Sequence, residues 1–292
     1  MTLIVSVLLA DKKLEDRPTA EVLPDLGAKH QGMLGLWRLR HLTAIMVRRD
    51  LLGRYKGSMM GFFWTIINPL GHLLLYTFVF SIILRVKFNN DPSTGSFALY
   101  LMTGLLPWTA LSESLSRATS CVLEQENLVK RVVFPLEVLP FAVAISSMIS
   151  QCVGLVLLIG MSTILTGTIH PTILYLPLIM LSQMILIAGI NWFLASLGVY
   201  LQDLKHVMSL ATSIWMYATP VVYPISQFPP KLQWLLWVNP MAGIVTDYRR
   251  IMLQGIQPDW NMYAAYTSIA VIIWFGGYYF FSKIKRSFAD VV

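Results

Sequence analysis

The amino-acid sequence predicts an all-α integral membrane protein with six transmembrane helices, an N-terminal amphipathic helix and a re-entrant helical hairpin before the last span. Of its 292 residues, 56% are hydrophobic and only 13% are charged, whereas soluble domains carry about 25% charged residues. No Asp, Glu, Lys or Arg occurs from Val138 to Gln202, a stretch far longer than the ~20 residues that one spanning helix needs. Membrane headgroups account for the net charge of +7 without any nucleic acid.

The residues before the membrane domain divide into two segments. Residues 1–32 are predicted to be a cytoplasmic tail, because the apolar start lacks the basic region and the cleavage site of a signal peptide. Residues 33–65 are predicted to form an amphipathic helix and a connector, since Leu39, Leu42 and Ile45 recur at helical spacing while arginines occupy the other faces. Such a helix lies along a membrane surface or packs as a soluble helix. Its position directly before the first span favours the membrane surface.

Six apolar segments within residues 66–281 are predicted to span the membrane. Polar, turn-rich stretches such as residues 85–96 and 166–171 separate them, and most reach the length of the hydrocarbon core. The predicted spans are residues 66–84, a segment that begins near residue 97, and residues 138–165, 173–201, 207–223 and 263–281.

The second span contains a carboxylate, Glu113, and a carboxylate at such a position is a functional candidate. Arg117 lies one helical turn further along the same face. The two side chains can therefore form a pair that neutralises itself at the membrane interface, and this is the interpretation that we favour.

Two segments between the spans differ from the rest. Residues 120–135 are charged and end at Pro135, which predicts a short helix or a solvated loop outside the lipid that a soluble partner could bind. Residues 228–255 contain two apolar pieces separated by Asn239 and Pro240. The first piece is too short to cross a bilayer and the second carries three charged residues, so the segment is predicted to be a re-entrant or interfacial hairpin.

The distribution of basic residues predicts the orientation. With six spans, both termini and the loops at 120–135 and 202–206 share one side of the membrane. That side holds 17 of the 22 Lys and Arg residues, and the opposite side holds five. The positive-inside rule places the 17 in the cytoplasm, so the chain is predicted to be a multi-pass protein of the cytoplasmic (inner) membrane with both termini, including the tail 282–292, in the cytoplasm.

Catalytic and cofactor motifs are missing from the sequence. It contains no GxxxxGK[ST] phosphate loop, no HExxH, no GxSxG and no Cys/His cluster, and Cys121 and Cys152 are predicted to be small buried side chains. We therefore expect no catalytic residue, no metal and no cofactor on this chain, and we do not expect an enzyme. The spans also lack the carboxylate chains of ion-coupled transporters. If the protein moves a substrate, the energy comes from another subunit.

Aromatic residues are concentrated toward the predicted outer side. They form either the ordinary aromatic belt of a membrane interface or the lining of a channel, where rings with one polar edge suit a polymer of sugars. The candidates are Trp108, Trp215, Tyr217, Tyr223, Phe228, Trp234 and Trp237.

Four stretches resemble one family. RYKGSMMGFFWTIINPL, NLVKRVVFPLEVLP, LGVYLQDLKHV and TPVVYPISQFPPKLQWLLWVNPMAGIVTDYRRIMLQG resemble, in the same order, segments of the permease subunits of polysaccharide-export ABC transporters. These are the type-2 exporters of O-antigen, capsule or teichoic-acid polymers, and the matches extend from about residue 33 to the C-terminus. One departure is Gln202, where the family often has an arginine before the aspartate.

The resemblance implies a homodimer with two copies of a separate cytoplasmic ATPase, which would bind ATP and Mg. It also implies an interface helix before the first span, gate helices at 228–255, and an undecaprenyl-linked, O-antigen-like polysaccharide as substrate. A capsule or teichoic-acid polymer, a drug or a small lipid are alternative cargoes, and a membrane-embedded glycan-transferring enzyme is the alternative from another class. The implied ATPase-coupling residues are Glu124, Glu126, Asn127, Lys130 and Arg131. The candidates for binding the lipid phosphate, or membrane-lipid headgroups, are Arg48, Arg49, Arg54, Tyr55 and Lys56.

Overall fold

The computed structural model describes residues 39–54, 63–76, 78–79, 83, 94–125, 134–167, 169–225 and 228–288. Within these residues every regular element is helical, which confirms the predicted all-α class. The α-helices are α1 (Arg40–Gly53), α2 (Trp64–Tyr76), α3 (Thr94–Ala118), α4 (Val138–Thr166), α5 (Leu176–Tyr200), α6 (Leu204–Ala218), α7 (Trp234–Val238), α8 (Pro240–Arg249) and α9 (Trp260–Ile284). Short 3-10 turns cover Leu123–Gln125, Pro171–Tyr175, Pro230–Leu232 and Lys285–Ser287, and a π-helical segment, Arg250–Gln254, follows α8.

Three helical segments in the described part of the chain are long and apolar enough to cross a membrane: Val138–Leu165, Pro171–Tyr200 and Trp260–Ser287. They coincide with the predicted third, fourth and sixth spans. The predicted fifth span, 207–223, is helical only as far as Ala218, because the chain turns extended at Thr219 and continues into Pro220. The predicted first span is described mainly as α2, which contains 13 residues.

Local sequence explains where the long helices begin and end. α4 stops at Gly167, whose φ of +69° is left-handed, a conformation that glycine adopts without strain. This confirms the predicted break at 166–171. At the start of α9, the Asp259 carboxylate accepts hydrogen bonds from the backbone amides of Asn261 and Met262, which would otherwise have no partner.

The bundle is built around the close approach of α5 and α9. A Cβ atom on Gly277 would lie 2.0 Å from the carbonyl oxygen of Gly189, and a Cβ atom on Gly189 would lie 2.6 Å from the backbone nitrogen of Trp274. Only glycine at these two positions allows the backbones to touch. Small residues serve this purpose in membrane helices, where van der Waals contact replaces the hydrophobic effect between helices.

A buried polar network holds α3, α4, α5 and α8 together. The Gln151 and Gln183 side-chain amides pair with each other at 3.0 and 2.8 Å, and both contact the Tyr248 hydroxyl. Gln183 Nε2 also donates to the carbonyl oxygen of Pro107, inside α3. Buried polar groups that satisfy one another in this way specify how helices pack.

Contacts between helix ends divide the bundle into two ends. At one end, here called the inner end, Asp50 of α1 forms an ion pair with Arg117 near the C-terminal end of α3, and Lys285 after α9 forms an ion pair with Glu137 before α4. Tyr200, the last residue of α5, packs against Phe288 at the same end.

The other end, here called the outer end, holds the remaining loops. Thr172, between α4 and α5, donates a hydrogen bond to the carbonyl of Ile251 in the π-helical segment. Tyr175, before α5, packs edge-on against Trp260 at the start of α9. The inner end therefore contains the C-termini of α3, α5 and α9 together with the N-terminus of α4. The alternation of the predicted spans requires this grouping.

Candidate functional site

Four charged residues form a cluster at the inner end, here called the inner charge cluster: Asp50 of α1, Arg54 directly after α1, and Glu113 and Arg117 of α3. Arg117 donates to both carboxylate oxygens of Asp50, in a two-pronged ion pair. Arg54 Nη1 donates to Glu113 Oε1 at 2.5 Å, and Arg54 Nε donates to Asp50 Oδ2 at 3.3 Å. Two cations and two anions thus neutralise one another across two helices.

The favoured pairing of Glu113 with Arg117 is wrong. α1 packs against α4, and Asp50 of α1 and the following Arg54, four residues apart, lie on one face and form ion pairs with residues of α3. Asp50 therefore binds Arg117 and Arg54 binds Glu113, so the two residues of the predicted pair each have a different partner. The spacing of Glu113 and Arg117 correctly predicted that they share one face of α3. It could not predict their partners, because these depend on the position of α1.

Arg54 is buried, unlike its neighbours in the predicted phosphate-binding set. Its side chain is 6% exposed, and besides the two carboxylates it donates to Ser150 Oγ at 3.1 Å and Ser147 Oγ at 3.3 Å on α4. These contacts make Arg54 an anchor that joins three helices. Arg48 and Arg49 are exposed on α1, while the predicted Tyr55 and Lys56 lie outside the described residues.

A cleft of about 860 Å³ borders the inner charge cluster and is here called the inner cleft. α1 contributes Arg48 and Arg49 to its lining, and the segment after α3 contributes Glu124. The cleft is the place in the described structure where the predicted phosphate residues and the predicted coupling segment meet.

Only the start of the predicted coupling segment is described. Glu124 lies in the 3-10 turn Leu123–Gln125 and accepts a hydrogen bond from Ser120 Oγ at 2.7 Å. Glu126, Asn127, Lys130 and Arg131 lie outside the described residues. Beside this turn, burial raises the pKa of the Cys121 thiol, so the thiol stays protonated and unreactive.

At the outer end, the segment predicted as a hairpin forms α7, α8 and the π-helical segment, which closes at Gly255 with a φ of +65°. Asn239 holds the junction between α7 and α8. Its Oδ1 accepts from the Met241 amide and from Trp215 Nε1, and its Nδ2 donates to Thr219 Oγ1 at 2.9 Å. One amide side chain therefore fixes the hairpin to the end of α6.

Two of the four charged residues in the hairpin, Asp247 and Arg249, are buried and bound by neutral groups. The Arg249 guanidinium lies 3.6 Å above the centre of the Tyr100 ring and donates to the carbonyls of Pro220 and Val221, each at 2.5 Å. Gly104 leaves room for this guanidinium, since a Cβ atom there would lie 2.7 Å from Arg249 Nη2.

The Asp247 carboxylate is the buried anion of the hairpin. It accepts from the Asp259 amide at 3.1 Å and from the Tyr266 hydroxyl at 2.9 Å, both from the start of α9. Together, Asp247 and Arg249 tie the hairpin to α9 on one side and to α3 on the other. We refer to the contacts of these two residues as the outer lock.

The structure separates the seven predicted channel aromatics into three groups. Trp108 and Phe228 are buried, and Trp108 packs edge-on against Trp215 within the bundle. Trp215 and Tyr223 are half-buried. The exposed members are Tyr217, Trp234 and Trp237.

Sequence reasoning missed a cavity of about 410 Å³ between α2, α3, α4 and α6, here called the hydroxyl-lined cavity, whose lining combines apolar side chains such as Met102 and Leu105 with polar ones. Seven serine and threonine residues line it, together with Glu113, Gln151, Trp64 and Asn68. The hydroxyl residues are Thr109, Ser112, Ser116, Ser147, Ser150, Ser209 and Thr212. A signal was present, because Thr109, Ser112 and Ser116 recur on one face of a helix. Because these residues are neither charged nor aromatic, the sequence analysis did not predict a site there.

Comparison with known proteins places this architecture. The sequence profile of the ABC-2 type transporter family matches residues 41–253. The O-antigen export system permease protein RfbA of Myxococcus xanthus is 30% identical, over 88% of this chain and 97% of its own length. A protein of the same name from Klebsiella pneumoniae is 28% identical, over 86% of this chain and 95% of its own. The polysialic acid transport protein KpsM of Escherichia coli is 21% identical, over 77% and 87%.

These matches confirm the resemblance seen in the sequence motifs. The family profile covers α1, the described helices α2 to α8 and most of the π-helical segment, so it includes the inner charge cluster and most of the outer lock. The chain belongs to the ABC-2 type transporter family.

Proposed function

We propose that this chain is the membrane-spanning permease subunit of an ABC transporter that exports a lipid-linked, O-antigen-like polysaccharide across the cytoplasmic membrane. The observation that carries the proposal is the near full-length match to two O-antigen export permeases, each covered over at least 95% of its length. Every part of such a permease therefore has a counterpart here. As a permease, the chain is a transport protein and not an enzyme.

The proposed topology has six spans, with both termini in the cytoplasm and the hairpin at 228–255 re-entering from the outside. The division of helix ends in the structure supports it, because the ends grouped at the inner end are those that carry 17 of the 22 basic residues in the sequence count. α1 would then lie at the cytoplasmic surface and the outer lock at the external surface.

A separate ATPase subunit supplies the energy, since ABC-2 permeases work with one. We propose that it binds ATP and Mg and docks on residues 120–135 and α1, beside the inner cleft. Two copies of the chain would form the transporter. The described faces of α2 and α6 support this, because they present exposed apolar side chains such as Leu74 and Leu75 on α2, and Leu210 and Ile214 on α6.

The contacts suggest how movement would pass from the ATPase to the outside. The inner charge cluster ties α1 to α3, so a shift of α1 moves α3 with it. The other end of α3 carries Tyr100, which supports Arg249 of the outer lock. A tightly packed helix transmits such a shift because packed interfaces move as units. Arg48 and Arg49 would hold the diphosphate of the lipid carrier at the inner cleft.

Loss of the chain in its native cell tests the proposal. We expect the polysaccharide to disappear from the cell surface and to accumulate inside, and we expect a soluble ATPase to co-purify with the tagged chain. Normal surface polysaccharide in the deletion strain would contradict the proposed function. A capsule or teichoic-acid polymer accumulating inside would change the cargo, and transport of a glycan-free lipid by the purified complex would indicate a small-lipid exporter.

A substitution in the coupling segment tests the ATPase contact. Replacing Glu124 and Arg131 together should abolish ATP-driven export while the protein remains inserted, because the docking surface loses both charges. Export at the normal rate in this double variant would contradict the coupling role of residues 120–135.

A further inference from the structure

Resting on the proposed function, we propose that the hydroxyl-lined cavity is a binding subsite for neutral sugar units of the glycan in transit, with Glu113 as its recognising carboxylate. The cavity lies between α2, α3, α4 and α6, and its volume of about 410 Å³ falls within the ~300–1,000 Å³ of ordinary ligand sites.

Three of the seven hydroxyl groups in the cavity lining are oriented as acceptors toward a ligand. Thr109 and Ser112 donate to carbonyls three residues earlier in α3, at 3.0 and 3.2 Å, and Thr212 donates to the Met208 carbonyl in α6 at 2.8 Å. Each hydroxyl has one hydrogen and two acceptor lone pairs. Because the hydrogen is used within the helix, the lone pairs remain for a ligand that donates, as sugar hydroxyls do.

Glu113 adds a stronger acceptor to this lining. Arg54 binds its Oε1 atom, and 42% of the Glu113 side chain is still exposed. An ionised carboxylate has about four acceptor positions, so the contact with Arg54 leaves most of them for a ligand. Hydrogen bonds to a charged acceptor are the strong ones.

Trp64 and Asn68 of α2 add an aromatic ring and an amide to the lining of the cavity. Trp64 is 37% exposed and borders the cavity. A large apolar ring face can lie against the CH groups of a sugar ring, while the Asn68 side chain can both donate and accept. An aromatic face, an amide, a carboxylate and several hydroxyls together match a ring that is apolar on its faces and polar at its edge.

The same lining argues against phosphates and lipid tails. Among the described residues that line the cavity there is no Lys or Arg, so a phosphate would face the Glu113 carboxylate without a cation of its own. An acyl chain would cover the exposed part of the Glu113 carboxylate without offering it a hydrogen bond, which is unfavourable. The phosphate chemistry lies instead in the inner cleft, on the other side of the Arg54–Glu113 pair.

Cysteine protection tests the subsite in the intact transporter. Ser112→Cys is placed in a background with Cys121→Ala and Cys152→Ala, and its alkylation by a small maleimide is timed in native membranes. Membranes from cells that make the glycan are compared with membranes from cells that cannot make it. We expect several-fold slower alkylation when the glycan is present, because bound sugar covers the position. Asn261→Cys, exposed at the outer end and outside the cavity, is the control and should react equally in both.

A filling variant gives a second test. Ser112→Trp should reduce surface glycan to a small fraction of the normal amount at unchanged protein level. Ser268→Trp should leave it unchanged, since Ser268 is likewise bonded to its own helix but is exposed on α9, away from the cavity.

The two tests separate this inference from the function on which it rests. If the deletion strain loses export but Ser112→Cys reacts equally with and without glycan, the subsite is wrong and the exporter stands. Full export by Ser112→Trp would also overturn the subsite. If the deletion strain exports normally, the proposed function itself fails.

Discussion

The inner charge cluster and the outer lock satisfy their charged residues in opposite ways. At the inner end, Arg54 and Arg117 are bound by the carboxylates of Asp50 and Glu113, so cation meets anion. At the outer end, Arg249 and Asp247 have no ion pair with each other. Arg249 is held by two carbonyls and a tyrosine ring, and Asp247 by a backbone amide and a tyrosine hydroxyl.

This difference suits two different mechanical roles. Separating a cation from an anion in a partly buried site strands both charges, which is strongly unfavourable. Separating a charged side chain from neutral hydrogen-bonding groups leaves a single charged group without its partners. Water can take the place of those partners if the site opens to the outside. Under the proposed mechanism, the inner end would stay connected while force passes through it, and the outer end would be the one that opens.

The largest effect is expected from removing the cation that joins three helices. Arg54→Met should destabilise the purified protein by about 3 kcal/mol, because loss of one partner from a buried pair costs about 3–5 kcal/mol and the exposure of Glu113 reduces that figure. Thermal unfolding in detergent measures the change. Arg49→Met on α1 is the control and should have little effect, since Arg49 is exposed. Equal stability of the two variants would show that the cluster does not fasten α1.

A smaller and more local effect is expected at the outer lock. Arg249→Met removes two charge-assisted hydrogen bonds and the contact with Tyr100, and should weaken the hairpin by about 2 kcal/mol. Hydrogen exchange in the assembled transporter measures it, and the amides of α7 and α8 should exchange about 30-fold faster. The amides of α5 and α9 serve as the internal reference and should be unchanged. A uniform increase across the bundle would mean that Arg249 stabilises the whole fold and does not act as a local lock.

The parts of the fold that follow from local sequence were predictable, and the side-chain partners were not. The span 138–165, the break at Gly167 and the turn after α5 depend on apolar length and on glycine or polar residues, which are visible in one stretch of chain. The partner of Glu113 depends on where α1 packs, which no local pattern records.

The candidate site shows the same limit. Trp108 was a candidate for the aromatic belt or the channel lining from its type and position, and within one chain it is 4% exposed and packs against Trp215. A helix such as α3 carries apolar residues on all sides. Whether one of its aromatic residues is buried therefore depends on which face packs against another helix. The hydroxyl-lined cavity was missed because a serine or threonine within a span is often there only as a side chain bonded to its own helix. The cavity forms only when four helices bring these residues together.

The smallest expected effect comes from Asp247, and it is compared directly with the effect at the half-buried Asp50. Asp247→Asn keeps an acceptor oxygen for the Tyr266 hydroxyl or the Asp259 amide and leaves no cation without a partner, so its cost should be about 1 kcal/mol or less. Asp50→Asn removes the anion shared by Arg54 and Arg117 and should cost more, although the two substitutions are chemically identical. Thermal unfolding of both variants under the same conditions measures the difference. If Asp247→Asn were the more damaging of the two, the outer lock would depend on charge as much as the inner cluster does, and opening it would not be the easier movement.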